Sequence, residues 1–314
     1  MKITLIHNPG AGDGQDVNAL VRLITDAGHD LRRRSTKQDW KEILEEPTDL
    51  VVAAGGDGTV RRVALEAASR CLPFSAIPIG TANNIAKTVG LLGEAAELIE
   101  TWSPSPRAEH PFDLGEVEAP WGTKRFVEGV GAGLVADLIA REDEIAADAK
   151  LLGRATDRAL HLLSVLVREE KVRRWEIRAD GQDLSGNYWS VEFMNTRFVG
   201  PNLPLAAKAF PGDGELEVVL LREADREPLH AYLESRLHLA SGQMPDIEVT
   251  RAKEIEIIVP TRMRWHLDDH NWPSDEPVPK GSEVTVRCLA GALKFVAAPA
   301  MFRERPQAKA PEEA

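Results

Sequence analysis

Only two cysteines, Cys71 and Cys288, occur in 314 residues. They make no disulfide framework and no metal-ligand spacing, as suits a reducing cytoplasm. No apolar run approaches the length that spans a bilayer, and the opening stretch MKITLIHNPGAG is too short in its apolar part for a signal-peptide core, so it reads as a strand. Positive charge is scarce too: 38 Lys and Arg stand against 50 Asp and Glu, a net charge of -12. An acidic surface argues against nucleic acid as a partner, since that affinity comes largely from phosphate neutralisation. It argues equally against adsorption to anionic lipid by charge alone. There is no internal repeat and no Walker-type G-x-x-x-x-G-K-[ST] motif. What remains, 43% hydrophobic and 28% charged, is the composition of a soluble globular chain. A cytoplasmic protein is expected, peripheral at a membrane at most.

Strand and helix signals alternate through the first third. Ile3–His7, Leu50–Ala54 and Phe74–Ile79 read as strands, and Val17–Ala27, Val60–Ala68 and Ala82–Val89 as helices. This order predicts an α/β domain: a mostly parallel sheet with helices on both faces and ligands at the carboxyl ends of its strands. The Pro-rich stretch Ser103–Pro111 marks a boundary, giving domains of residues 1–110 and 111–303. The second reads as a β-sandwich, with short strands at Phe112–Val117, Lys124–Gly129, Trp175–Ala179, Tyr188–Met194, Leu216–Leu221, Ile255–Val259, Met263–Leu267 and Val284–Cys288. Helical segments interrupt it at Leu134–Arg174 and Arg226–Ala240, and a return of its last strands to the first domain stays open. The apolar face of the first segment packs on the sandwich while Arg168, Lys171, Arg173 and Arg174 are solvated; an interfacial patch for lipid is the alternative. Residues 304–314 read as a disordered tail.

Three glycine turns follow three of these strands. Asn8-Pro9-Gly10-Ala11-Gly12 ends the first, and misses the dinucleotide fingerprint because Gln15 stands where its last glycine belongs. Gly55-Gly56-Asp57-Gly58-Thr59 follows the second. Glycine lets backbone N–H groups approach a phosphate closely, and the helix that follows adds a favourable dipole. Phosphate repels Asp57 unless a cation bridges them, so this acid implies Mg²⁺ or a proton acceptor beside the phosphate. The plain alternative is a strand-to-helix turn with Asp57 as N-cap. Gly80-Thr81, with Asn83-Asn84, forms the third turn. Three such turns on one sheet converge on one ligand, which favours a nucleotide.

In this order, NPGAG, GGDGT and PIGTANNIAK resemble the diacylglycerol kinase catalytic-domain family of lipid kinases. FDLGEV, FVEGVGAGLVADLI and MNTRFVGPNLPLAAKAFPGDGELEVVLL extend the resemblance over nearly the whole chain apart from the tail. GGDGT alone is shared with NAD kinases; the ordered set is specific. The resemblance implies an ATP- and Mg²⁺-dependent kinase of phospholipid metabolism, acting on a hydroxyl of diacylglycerol or a related lipid in the cleft between its domains. Carried over by position, Asn8, Pro9, Gly10, Ala11, Gly12, Thr36, Gly55, Gly56, Asp57, Gly58, Thr59, Val60, Arg61, Gly80, Thr81 and Asn83 would contact ATP. Asp57 would work with Mg²⁺, and Asp213 would hold a structural Mg²⁺ with carbonyls near Phe210 and Glu215. A lipid acceptor implies transient contact with a membrane surface, and a homodimer stays open. The alternatives are an NAD kinase-like phosphotransferase and a catalytically weak nucleotide- or lipid-binding regulator.

Two departures bear on the chemistry. The family usually carries Asn-Asp after the Gly-Thr turn, where this chain has Asn83-Asn84. The family also has Asp-Gly-Glu near the C-terminus, supplying the proton acceptor, where this chain has Asp268-Asp269-His270. On a strand, Asp268 and His270 share a face. Asp268 would then hold the imidazole while His270 takes the substrate proton; Asp57 or Asp268 acting alone is the rival. His266, Asp268 and His270 on one face also carry a zinc-like spacing, for which a polar hairpin turn is the plainer account.

Overall fold

The computed structural model describes residues 1–11, 17–103, 108–147, 155–274 and 276–298. Four strands, β1 (Lys2–His7), β2 (Asp30–Ser35), β3 (Leu50–Gly55) and β4 (Phe74–Pro78), run parallel in the order β4-β3-β1-β2. β3 is buried at every residue, as a central strand covered on both faces must be. α1 (Val17–Asp26) lays Leu20 and Ile24 on one face, against Leu5 and Val52. α2 (Asp57–Ser69) lays Val60, Val63, Ala64 and Ala67 on the other. The short α3 (Asn84–Val89) and α4 (Ala95–Glu100) follow β4. β2 has no apolar pattern in its sequence, DLRRRS; it is an edge strand made by pairing with β1.

The rest of the chain contributes β5 (Glu109–Ala119), β6 (Gly122–Phe126), β7 (Gly129–Ala132), α5 (Leu134–Ala147), α6 (Ala155–Glu169), β8 (Arg173–Ala179), β9 (Gln182–Asp183), β10 (Gly186–Tyr188), β11 (Ser190–Met194), β12 (Leu216–Leu221) and α7 (Glu223–Leu237). It ends in β13 (Val249–Ala252), β14 (Glu254–Ile258), β15 (Trp265–Leu267), β16 (His270–Asn271) and β17 (Glu283–Val296). A six-stranded sheet, β13-β12-β11-β7-β15-β16, packs one face on β8, β14, β5 and β17 through Val130, Phe193, Val218 and Trp265 against Trp175, Ile177, Ile255 and Val286. That is the sandwich. Its other face is covered by α5, α6 and α7 through Leu138, Leu163, Val167, Leu229 and Leu233. The apolar face of α6 therefore lies in the core, and Arg173 and Arg174 begin a strand instead of extending the helix. The single helical segment expected over Leu134–Arg174 is two helices, α5 and α6.

β17 joins the two halves. It pairs antiparallel with β14 and β5, shifts register between Leu289 and Leu293, and meets β4 in parallel at Phe295 and Phe74. Gly291, at φ +59°, occupies the irregularity, a conformation that glycine takes without strain. One eleven-stranded sheet thereby runs through both domains. Phe295 lies 5.5 Å from both Phe74 and Phe112, and each aromatic pair adds roughly 0.5–1.5 kcal/mol beyond its burial. Among the described residues, no helix is long and apolar enough to cross a membrane. The expected tail lies outside the described residues.

Candidate active site

The glycine turns stand at the carboxyl ends of β1, β3 and β4. In the first, Asn8 Oδ1 accepts the N–H of Gly10 at 3.0 Å and closes a tight loop. The second and third touch backbone to backbone: a Cβ on Gly80 would stand 2.4 Å from the Cα of Gly56. No other residue type fits there. Asn83, at φ +52°, ties the third turn with two hydrogen bonds to Gly80, its Oδ1 accepting at 3.0 Å and its Nδ2 donating at 2.7 Å.

Asp57 opens α2, yet its carboxylate serves a different helix. Oδ1 accepts the N–H of Ile85 at 3.0 Å, so Asp57 caps α3. Burial pushes its pKa up, and the amides of Ile85, Asn84 and Asn83 pull it back. The acid of the second turn thus holds the helix of the third, and both are locked against the sheet.

A polar depression of about 500 Å³ lies over the three turns. Asn8, Gly10 and Ala11 line it from the first turn, Gly56, Asp57, Gly58 and Thr59 from the second, and Gly80 and Thr81 from the third. Arg61, Arg62 and Asp269 complete it. Pro9, Gly55, Val60, Thr36 and Asn83 were expected as contacts but do not line it. Val60 is a core residue, Gly55 ends β3, and Thr36 follows β2, donating its N–H to His7. Gly12 lies outside the described residues.

A second cavity, of about 270 Å³, shares Asp57, Thr81 and Asp269 with the first. Val135, Leu138 and Ile139 of α5, Ala159 of α6, Val199 and Pro201 make its walls apolar. Its polar end, next to the polar depression, holds Asn84, Glu128 and Asp268. Glu128 was missed by the sequence reading. Its only signal is a lone charge within the apolar and glycine-rich run FVEGVGAG.

The hairpin that carries Asp268 differs from expectation. β15 stops at Leu267, the chain turns at Asp268 with φ +52°, and His270 pairs with Leu267 on the returning strand. Asp268 and His270 therefore do not share a strand face. The Asp268 carboxylate is enclosed and accepts the N–H groups of Glu128 at 2.7 Å and of Val127 and Gly129 at 3.2 Å. Those amides break the strand expected over Lys124–Gly129 in two. Burial raises the pKa of Asp268, opposed by Arg61 at 3.8 Å and by the three amides. Arg61 makes its closer pair with Asp269, at 2.6 Å. His270 is partly exposed and turns its Nδ1 to Asp269 at 3.3 Å. His266 faces away, its Nε2 2.6 Å from buried Glu192 and its Nδ1 3.1 Å from the Asp268 carbonyl. Burial, the largest single influence, lowers the His266 pKa, but the charge and hydrogen bond of Glu192 together with the carbonyl and charge of Asp268 outweigh it, and the net shift is upward. Among the described residues no group of three or more His, Cys, Asp or Glu side chains gathers as a metal site, so the spacing of His266, Asp268 and His270 does not become one.

The expected structural Mg²⁺ set around Asp213 also differs. The Phe210 carbonyl already accepts the N–H of Gly212 at 2.8 Å, and Asp213 Oδ1 accepts that of Glu215 at 3.2 Å. Arg251 lies 3.7 Å from Asp213 and 2.8 Å from the Glu215 carboxylate. Arg251 thus supplies positive charge beside the turn at which the resemblance implies a cation. At Asp57 the donor chemistry does fit: Mg²⁺ takes one or two carboxylates and fills its remaining positions with phosphate oxygens and water.

Residues 2–117 match the diacylglycerol kinase catalytic domain, and residues 136–296 match the YegS C-terminal NAD kinase beta sandwich-like domain. A Pseudomonas aeruginosa protein described as "Probable lipid kinase YegS-like" is 31% identical over 233 residues, covering 70% of this chain and 71% of its own. A protein of the same description from Alcanivorax borkumensis is 27% identical over 94% of this chain and 96% of its own. A Mycobacterium tuberculosis diacylglycerol kinase is 23% identical over 82% of this chain and 85% of its own. In fold, the chain is similar to the crystal structure of a diacylglycerol kinase from Bacillus anthracis str. Sterne, with TM-score 0.68, 22% identity, and coverage of 95% of this chain and 98% of the other.

Proposed function

We propose that this chain, which belongs to the diacylglycerol kinase catalytic-domain family of lipid kinases, transfers the γ-phosphoryl group of ATP to a hydroxyl of diacylglycerol or a closely related lipid. The observation that carries this reading is the junction of two unlike cavities. A polar depression over three glycine turns meets an apolar cavity, and Asp57, Thr81 and Asp269 belong to both. Phosphates fit the first, where backbone N–H groups and Arg61 and Arg62 are at hand. An acyl glycerol fits the second, its hydroxyl toward the acids and its chains along Val135, Leu138 and Ile139. Glu142 and Thr156 are the polar groups on those mostly apolar walls, which suit acyl chains better than the second nucleotide of an NAD kinase-like acceptor.

Phosphoryl transfer asks mainly for positioning and charge neutralisation. The glycine turns bring backbone to the phosphates, Arg61 and Arg62 offset their charge, and Asp57 is the residue that would hold Mg²⁺ beside them. Bound there, Mg²⁺ neutralises charge developing on the phosphate oxygens. Asp268 holds the Val127–Gly129 backbone and so fixes the acid end of the lipid cavity. The acceptor resides in a bilayer, so the chain meets the membrane surface transiently, with the mouth of the α5–α6 cavity toward it. Labelled ATP offered with a panel of lipids in micelles, with and without Mg²⁺, tests the reading. Label in diacylglycerol or a related lipid supports it; label in NAD, or in water alone, opposes it.

A further inference from the structure

The acceptor hydroxyl must lose a proton during transfer, and the acids at the junction differ in how free they are to take it. Asp268 is occupied by three backbone N–H groups. Asp269 is paired with Arg61 at 2.6 Å, and Asp57 caps α3. Glu128 is held differently. Its backbone is pinned on both sides, the N–H donated to Asp268 at 2.7 Å and the carbonyl accepting the N–H of Asn195 at 2.8 Å. Its side chain, in a residue only 7% exposed, enters the polar end of the lipid cavity. There Asn84 Nδ2 donates to Oε2 over a long 3.4 Å, while the same Nδ2 gives its better bond, 3.0 Å, to the Gly200 carbonyl. The Oδ1 of Asn84 is buried and has no hydrogen-bond partner. The amide therefore holds Glu128 only weakly, through one long N–H donation, and keeps its better bond for the Gly200 carbonyl.

We propose that Glu128 is the group that takes the proton of the acceptor hydroxyl, with Asn84 as its positioning residue. The inference rests on the lipid kinase reading above. The lipid oxygen bonds to the γ-phosphorus of the nucleoside triphosphate as the bond from that phosphorus to the β,γ-bridging oxygen breaks. The bonding pair leaves with the nucleoside diphosphate. The hydroxyl proton passes to a Glu128 carboxylate oxygen and goes to water after the product departs. Charge around the group suits the task. Burial raises the pKa of Glu128, as do the charges of Asp57, where no cation offsets it, and of Asp268 and Asp269 on the hairpin, while Asn84 on α3 opposes. Glu142 of α5 lines the same cavity. Of the nearby cations, Arg61 is paired with Asp269, and Lys87 donates to Asn202 at 2.6 Å. A general base is most effective when its pKa lies near the working pH, above the ordinary carboxylate range. Glu128 reaches Asn84 of α3 from the facing loop.

The test uses the full chain with labelled ATP and dioctanoylglycerol micelles. Glu128→Gln is near-isosteric and should lower kcat by about 100-fold or more, while leaving the acceptor KM within about threefold. The acid limb of the parent pH profile should vanish from the residual rate, and Glu128→Asp should recover part of the activity. A readout free of turnover accompanies it: dicyclohexylcarbodiimide, which attacks protonated carboxyls in apolar surroundings, should label Glu128 in peptide mapping, and dioctanoylglycerol should protect it. A folded Glu128→Gln variant with kcat within threefold of an active parent overturns the inference and leaves the kinase reading standing. So does carbodiimide labelling of Glu128 that the lipid leaves unchanged, and this decides the matter if the variant does not fold. A parent that labels no lipid at all sinks the kinase reading itself.

Discussion

Replacing Asp57 separates two jobs that one carboxylate performs. The structural job is the cap on α3, through the N–H of Ile85 at 3.0 Å. Asp57→Ala removes that acceptor and leaves buried amides at the helix start without a partner. Loss of such a cap costs about 0.5–2 kcal/mol. At roughly 2 °C per kcal/mol for a long chain, the melting midpoint should drop by about 1–4 °C. Asp57→Asn keeps the size and one oxygen acceptor. Because burial already works against the ionised form, the neutral amide also escapes a desolvation cost. Its midpoint should stay within about 1 °C of the parent. The chemical job is charge beside the phosphates, and both variants lose it, so lipid phosphorylation should fall about 100-fold or more in each. Differential scanning calorimetry and a labelled-ATP assay on the same preparations check both halves. An alanine variant with the parental midpoint refutes the cap, and an asparagine variant with parental turnover refutes the phosphate site.

Gly80→Ala places a Cβ 2.4 Å from the Gly56 backbone, so the two turns must separate; the nucleotide KM should rise at least about tenfold and the melting midpoint should fall, the strain costing about 1–3 kcal/mol. His270→Ala removes a partly exposed ring held by Asp269, and kcat with its acid limb should stay within about threefold of the parent; a lost acid limb would return the proton-acceptor role to the histidine. Glu170, buried beside Asp137, has its pKa raised by burial and by that neighbour to about 7. A raised carboxyl contributes stability that is complete below the ordinary glutamate pKa and lost as pH rises through about 7. The parental melting midpoint should therefore fall between about pH 5 and 8, and Glu170→Gln should flatten that fall.

The three glycine turns were legible because each combines an apolar strand with residues whose backbone freedom is chemically distinctive. The backbone contact between GGDGT and PIGT was not legible, because nothing local records that Gly56 and Gly80 meet. The use of Asp57 was harder to read, since a cap on α3 joins residues 28 positions apart and leaves no local pattern. The hairpin at Asp268 misled for a related reason. Spacing by two places side chains on one face only while the strand continues, and a positive φ at Asp268 ends it. β2 was invisible because an edge strand needs no apolar periodicity once a partner supplies its hydrogen bonds. Glu128 was hidden among glycines, and only the approach of the segment between β6 and β7 to Asn84 shows where its side chain goes.

If the polar depression and the apolar cavity serve one transfer reaction, phosphate must pass from a nucleotide in the first to a lipid in the second. The direct measurement is the fate of γ-labelled phosphate from ATP incubated with the purified chain and dioctanoylglycerol micelles, in parent and Asp57→Asn proteins, with Mg²⁺ and with a chelator. Label should appear in the chloroform-extractable lipid, dependent on Mg²⁺ and reduced about 100-fold or more in the variant. Label that stays in ATP, passes only to water, or reaches lipid equally well without Asp57 would contradict that transfer.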